Sequence, residues 1–164
     1  MRVRFLFIKF DKKCCMAGSG NMEKKRGEQR PGRKQPAGKD HWQWRNEMAE
    51  SMAGALDMKM FGIKAIYLIG STKTGEAGPC SDIDLLVHCT DDPLKHQALQ
   101  AYFDGWGHCL ALLNKEKTGQ HTPGSLVDLH IITDGDIEKK DSFAAMIGSV
   151  HNSARLLRKA GAHE

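Results

Sequence analysis

A single apolar residue separates Asp82 from Asp84, and these two carboxylates open an apolar run, Asp82-Ile83-Asp84-Leu85-Leu86-Val87. In an extended strand side chains alternate, so Asp82 and Asp84 share one face while Ile83, Leu85 and Val87 share the other. Two carboxylates on one face at the mouth of a buried strand repel each other unless a cation sits between them. A third carboxylate, Asp128, lies inside the apolar run from Ser125 to Ile132. A buried carboxylate without a partner is costly, so Asp128 needs a cation or an edge position. If its strand lies beside that of Asp84, three carboxylates converge. Such a cluster suits hard divalent cations, Mg²⁺ above all, together with substrate phosphates. Two metals sharing these ligands would suit in-line displacement at phosphorus.

Gly70-Ser71 fits the same chemistry. It ends an earlier apolar run, Ala65 to Ile69. Glycine lets the backbone turn sharply and come close to a phosphate. The amides that follow, together with the Ser71 hydroxyl, can bind phosphate oxygens. Lys73 is either a counter-charge for a triphosphate or a solvated loop lysine. His88 and His130 fall on the carboxylate face by the same alternation. Each is read as a satisfied or half-exposed histidine, within reach of an acceptor or base. Cys80, beside the motif, is read as part of the loop.

A D-x-D spacing alone says little, and a second copy occurs at Asp134-Gly135-Asp136. That copy stands in a polar segment and reads as turn and cap chemistry. The first copy differs in its setting: a strand, Gly-Ser, a ten-residue connection from Thr72 to Ser81, the paired carboxylates, then a later strand with one more.

The elements that must position these residues follow from periodicity. Trp44, Met48, Met52, Ala55 and Leu56 form a helical stripe beginning near His41, which Gly62 ends. Two strands bracket the Gly-Ser motif and its connection. Thr90-Asp91-Asp92-Pro93 then stops the second strand and starts a helix through about Lys117, with a kink tolerated at Gly105 and Gly107. His121 to Gly124 reads as a loop before the third strand. Phe143, Met146, Ile147, Val150, Ala154 and Leu157 predict a last amphipathic helix, capped by Asp141 or Ser142, with Gly161 just past its end. The expected fold is α/β (α+β), a small mixed sheet of three or more strands with helices packed on one side.

Composition sets the outer bounds. A chain of 164 residues holds one domain with room for a core. Its net charge of +4 comes largely from the N-terminal quarter. Residues 1–40 are expected to be a disordered basic tail, or a leader produced by an over-extended start, and residues 41–161 the folded domain. The tail leaves nucleic acid open as a partner without indicating it. Five cysteines without C-x-x-C spacing read as free thiols of a reducing cytoplasm. No apolar stretch is long enough to span a membrane, so no membrane partner is expected.

Leu68-Ile69-Gly70-Ser71, Ser81-Asp82-Ile83-Asp84-Leu85-Leu86-Val87 and Val127-Asp128-Leu129 together resemble a nucleotidyltransferase domain of the DNA polymerase β superfamily. The resemblance is to the minimal and kanamycin-nucleotidyltransferase types and spans about residues 43 to 135 in outline. A fainter one is to nucleotidyltransferase-like domains associated with pyruvate phosphate dikinase-like proteins. The resemblance implies the nucleotidyltransferase fold, Mg²⁺ bound by Asp82, Asp84 and Asp128 in a two-metal site, and nucleotide contacts from Gly70, Ser71 and Lys73. Asp128 would help activate the attacking hydroxyl. The implied reaction passes a nucleoside monophosphate from an NTP, ATP among them, to a hydroxyl-bearing acceptor and releases pyrophosphate. The acceptor is a small molecule, a protein side chain or an RNA end. A homodimer or a helical partner protein would complete the pocket. The alternative is an antitoxin-like or regulatory binding module that works through such a partner.

Overall fold

In the computed structural model the described residues are 41–151 and 153–161. The expected tail, with Cys14 and Cys15, lies outside them. The chain runs α1 (His41–Ala55), β1 (Ile63–Ile69), α2 (Gly70–Thr74), β2 (Ile83–Cys89), α3 (Pro93–Thr118), β3 (Val127–Ile132), α4 (Asp134–Glu138), a 3₁₀ turn (Ala144–Met146) and β4 (Arg155–Lys159). The four strands form one mixed sheet in the order β3-β2-β1-β4. β1 pairs antiparallel with both β2 and β4, while β2 and β3 are parallel. The mixed α+β sheet expected from the pattern is therefore present.

The core lies on one face. Ile66 and Leu68 of β1, Ile83, Leu85 and Val87 of β2, and Val127 of β3 meet Ala49 and Met52 of α1 and Leu99, Phe103 and Leu110 of α3. Helix α1 uses a stripe shifted from the expected one. Arg45, Ala49, Met52 and Ala53 are buried, whereas Ala55 is exposed. On the opposite face Ile69, Leu86 and Ile132 pack, among the described residues, with Tyr67, Ala154 and the segment around Phe143, Ala144, Met146 and Ile147.

Helix α3 begins as its sequence dictates. Asp92 caps it by accepting from the amides of Leu94 and Lys95, and Pro93 occupies the first turn, where its missing N–H costs nothing. It runs unbroken through both glycines. Gly107 is a close approach: a β-carbon there would fall 1.8 Å from the Ser125 hydroxyl oxygen, and its carbonyl accepts from the Leu126 amide at 3.0 Å. The Leu126 carbonyl in turn accepts from the Ile83 amide at 2.8 Å. The glycine thus lets α3 hold the leading ends of β2 and β3 together.

The expected C-terminal helix is absent. Its residues form instead the short 3₁₀ turn, a break at Gly148 with φ +77, and strand β4. Val150, assigned to the apolar stripe, is 93% exposed. A tertiary demand overrides the helical spacing. The β1 edge away from β2 presents backbone groups that must be paired, and β4 pairs them. Arg158 on β4 also donates to the carbonyls of Ala53, Gly54 and Leu56, satisfying the end of α1.

Candidate functional site

Parallel pairing of β2 with β3 sets Asp84 opposite Asp128 and Leu86 opposite His130. Alternation puts Asp84, Asp128 and His130 on the sheet face away from the main core. One ligand atom from each of the three lies within 4.8 Å of the other two. Asp84 and His130 are half-buried and Asp128 is exposed. The repulsion between two carboxylates at such a distance is on the order of 3 kcal/mol at an effective dielectric of 20, less where solvent screens Asp128. A cation between them removes this penalty. His130 has its Nε2 atom 3.9 Å from Oδ2 of Asp128, and its ring stacks on Phe143 with centroids 4.1 Å apart and planes at 21°.

The turn from β1 into α2 supplies the second wall. Ile69 pairs with Asp84 across the ladder, and Gly70 follows at φ +68, a region that favours glycine. A β-carbon on Gly70 would collide with the Asp84 carboxylate. Ser71 is half-buried in the five-residue helix that begins there, and the buried Thr72 donates its hydroxyl to the Asp82 carbonyl at 3.2 Å. The Lys73 ammonium donates to the Ser153 carbonyl at 3.0 Å, bridging to the segment that leads into β4.

Asp82 immediately precedes β2 and is not part of the group formed by Asp84, Asp128 and His130. Its charge acts on Arg45, a fully buried arginine of α1. Burial pulls the Arg45 guanidinium down to about 10, opposed by the negative potential of Asp82 and then Cys80. It therefore stays cationic at neutral pH. Its Nε donates to the Ser81 carbonyl at 2.9 Å, and Nη2 donates to the Pro79 carbonyl at 3.2 Å and to Asn114 Oδ1 at 2.7 Å. Asn114, buried in α3, donates to the same Pro79 carbonyl at 3.0 Å. Arg45 and Asn114 thus clamp the end of the connection that delivers Asp82. The periodicity argument passed over Arg45, although a basic residue four and seven positions before Ala49 and Met52 on a buried stripe was the available signal.

Other polar residues of and beside this face are engaged with one another. His88 Nε2 lies 2.8 Å from Asp134 Oδ1, and Lys64 donates to the other Asp134 oxygen. These bonds, that of Lys64 first, hold the Asp134 carboxyl below its ordinary range. Asp136 accepts from both the amide and the hydroxyl of Thr133 at 2.8 Å, forming the cap expected of the second D-x-D. Cys80, Cys89 and Cys109 are not in disulfides. Among the described residues, no helix is long and apolar enough to cross a membrane.

Of the residues singled out by sequence, Gly70, Asp84 and Asp128 come together at one end of the sheet, where β1 ends and β2 and β3 begin, with Ser71 on the adjoining turn. Asp82 immediately precedes β2 and acts on Arg45, and Lys73 reaches toward Ser153. His130 enters the group from the fringe of the sequence reading.

Residues 57–117 match the family model described as the nucleotidyltransferase domain. This span contains Gly70, Ser71, Asp82 and Asp84 and ends before Asp128. Among solved structures, the chain is similar to a crystal structure of a candidate nucleotidyltransferase from Sulfolobus solfataricus. The two are 14% identical, with a TM-score of 0.42, over 73% of this chain and 84% of that one. A TM-score that low leaves the fold to be read from the chain's own topology. No curated protein matches the chain.

Proposed function

We propose that the nucleotidyltransferase domain this chain carries moves a nucleoside monophosphate from an NTP to a hydroxyl-bearing acceptor, with pyrophosphate as the leaving group. The observation that carries this reading is the register of Asp84 with Asp128, closed on one side by the Gly70 turn against the Asp84 carboxylate. Oxygen donors of this kind fit a hard divalent cation such as Mg²⁺. Asp82, Asp84 and Asp128 are the residues assigned to hold it. Once bound, such a cation would neutralise phosphate charge and favour displacement at the α-phosphorus.

The chain's own residues do the rest. Gly70 lets the backbone pass close to the Asp84 carboxylate, and the Ser71 hydroxyl that follows it would bind a phosphate oxygen. Lys73 supplies positive charge on the same short helix. Asp128, the most exposed of the carboxylates, accepts the proton of the acceptor hydroxyl. In the balanced step the acceptor oxygen bonds to the α-phosphorus, the bond from that phosphorus to the bridging oxygen breaks, and pyrophosphate departs.

The test is a transfer assay with α-labelled NTPs, ATP first, and a cell extract as the source of acceptor. Label transferred with release of pyrophosphate, and lost in Asp84→Asn, supports the reading. Release that Asp84→Asn and Asp128→Asn leave unchanged assigns the activity elsewhere and overturns it.

A further inference from the structure

We infer that His130 is a direct ligand of the cation held by Asp84 and Asp128, giving this site a nitrogen donor that favours Mn²⁺ over Mg²⁺. The inference rests on the proposed nucleotidyl-transfer site and adds to it the identity of the metal.

Three features of His130 point this way. Parallel register puts it one position along the same face from Asp128, opposite Leu86. Its ligand atom, with those of Asp84 and Asp128, falls in a group no wider than 4.8 Å. Its ring is clamped flat against Phe143, which fixes the plane in which its nitrogens lie. The 3.9 Å from Nε2 to Asp128 Oδ2 is too long for a hydrogen bond and leaves a cation room to bridge the two.

The other histidine of this face is differently placed. His88 is two residues farther along β2 from Leu86 and already meets Asp134 at 2.8 Å. Among the described residues, His130 is the histidine that combines the face, the spacing and the orientation.

Donor chemistry then decides the metal. Carboxylate oxygens alone suit Mg²⁺, Ca²⁺ and Mn²⁺, whereas imidazole suits transition metals. Mg²⁺ gives up its water reluctantly and gains little from a nitrogen donor. A nitrogen donor adds more to the affinity for Mn²⁺, a first-row transition ion, than to that for Mg²⁺, so an Asp/Asp/His set separates these two ions.

The probe is Mn²⁺ itself, added to the full chain with and without a non-hydrolysable NTP analogue. Pulsed electron paramagnetic resonance reads nitrogen coupling to the bound ion, and calorimetry compares Mn²⁺ with Mg²⁺. The expected result is directly bound imidazole nitrogen in the wild type and in His88→Gln, lost in His130→Ala and His130→Gln. Removal of one ligand should weaken Mn²⁺ binding by about 10-fold or more, by analogy with the 10- to 100-fold effect of losing a supporting partner, and weaken Mg²⁺ much less.

Bound Mn²⁺ without nitrogen coupling overturns the inference while leaving nucleotidyl transfer intact if the NTP still binds. Nitrogen coupling without any NTP binding supports the metal site and defeats the proposed reaction. No Mn²⁺ binding under either condition overturns the inference, and it overturns the proposed reaction as well where Mg²⁺ and the NTP analogue also fail to bind. If His130→Ala fails to fold, His130→Gln, checked by circular dichroism, carries the comparison, and the spectrum without nucleotide excludes nitrogen supplied by the NTP analogue.

Discussion

A β-carbon on Gly70 would stand 2.1 Å from Oδ2 of Asp84, closer than any side chain can approach an oxygen without displacing it. Gly70 also sits at φ +68, so a larger residue is strained even before the collision. The absence of a side chain is therefore part of how Asp84 is placed.

Gly70→Ala should lower stability by about 1–3 kcal/mol through strain and abolish metal-dependent nucleotide binding by displacing Asp84. Gly78→Ala is the matched control, because its β-carbon would meet nothing within 4 Å. Thermal unfolding and nucleotide titration on both variants check this. Equal loss of binding in the two would remove the special role of Gly70.

The two glycines of α3 should respond in opposite directions. Gly105→Ala adds a β-carbon with nothing within 4 Å on an exposed helical position and should stabilise by about 0.8 kcal/mol. Gly107→Ala drives a β-carbon into Ser125 and toward the Val127 backbone, so it should destabilise the fold and shift the strand bearing Asp128. Urea unfolding of the pair reads the sign of each change.

Arg45→Met should cost about 3 kcal/mol or more, because it leaves Asn114 Oδ1 and the carbonyls of Pro79 and Ser81 without their charged donor. Asn114→Ala should cost less on its own. A double-mutant cycle should then show coupling between the two, whereas additive losses would mean that they do not act as one clamp.

Acid should erode the contribution of α4. Asp134 and Asp136 both have carboxyls held below their ordinary 3.8, the first by Lys64 and then His88, the second by the Thr133 amide and then its hydroxyl. A depressed folded value means stabilisation that is present above the unfolded value and lost as pH falls through the folded one. The stability gap between wild type and an Asp134→Asn/Asp136→Asn variant should be full above about pH 5 and narrow as the pH falls below the unfolded carboxyl value of about 4. The gap stays small because both groups lie at the surface. A gap constant from pH 7 to pH 2, followed by urea unfolding, would contradict the assigned bonds.

The parts of this molecule that local pattern determines were readable from sequence. Asp92-Pro93 could only begin a helix, and the alternation of Ile83, Leu85 and Val87 against Asp84 fixed a face whichever neighbour β2 acquired. What pairing decides was not readable. Leu156 and Leu157 carry no mark that distinguishes a helix from a strand covering the β1 edge, and Arg158 caps α1 only once β4 lies beside it. Gly107 looked like a weak point in a helix because its close neighbour, Ser125, is distant in sequence. Arg45 drew no notice because most of its partners are backbone carbonyls, which no residue type announces. His130 gained significance only when the parallel register brought Asp84 alongside Asp128.

The most direct test of the central claim is a calorimetric titration of each NTP with and without a divalent cation, on wild type and on Asp84→Ala/Asp128→Ala. Cation-dependent NTP binding in the wild type, absent in a variant that still folds by circular dichroism, is the predicted result. NTP binding of equal strength in both proteins, or none at millimolar NTP with the cation present, would contradict it.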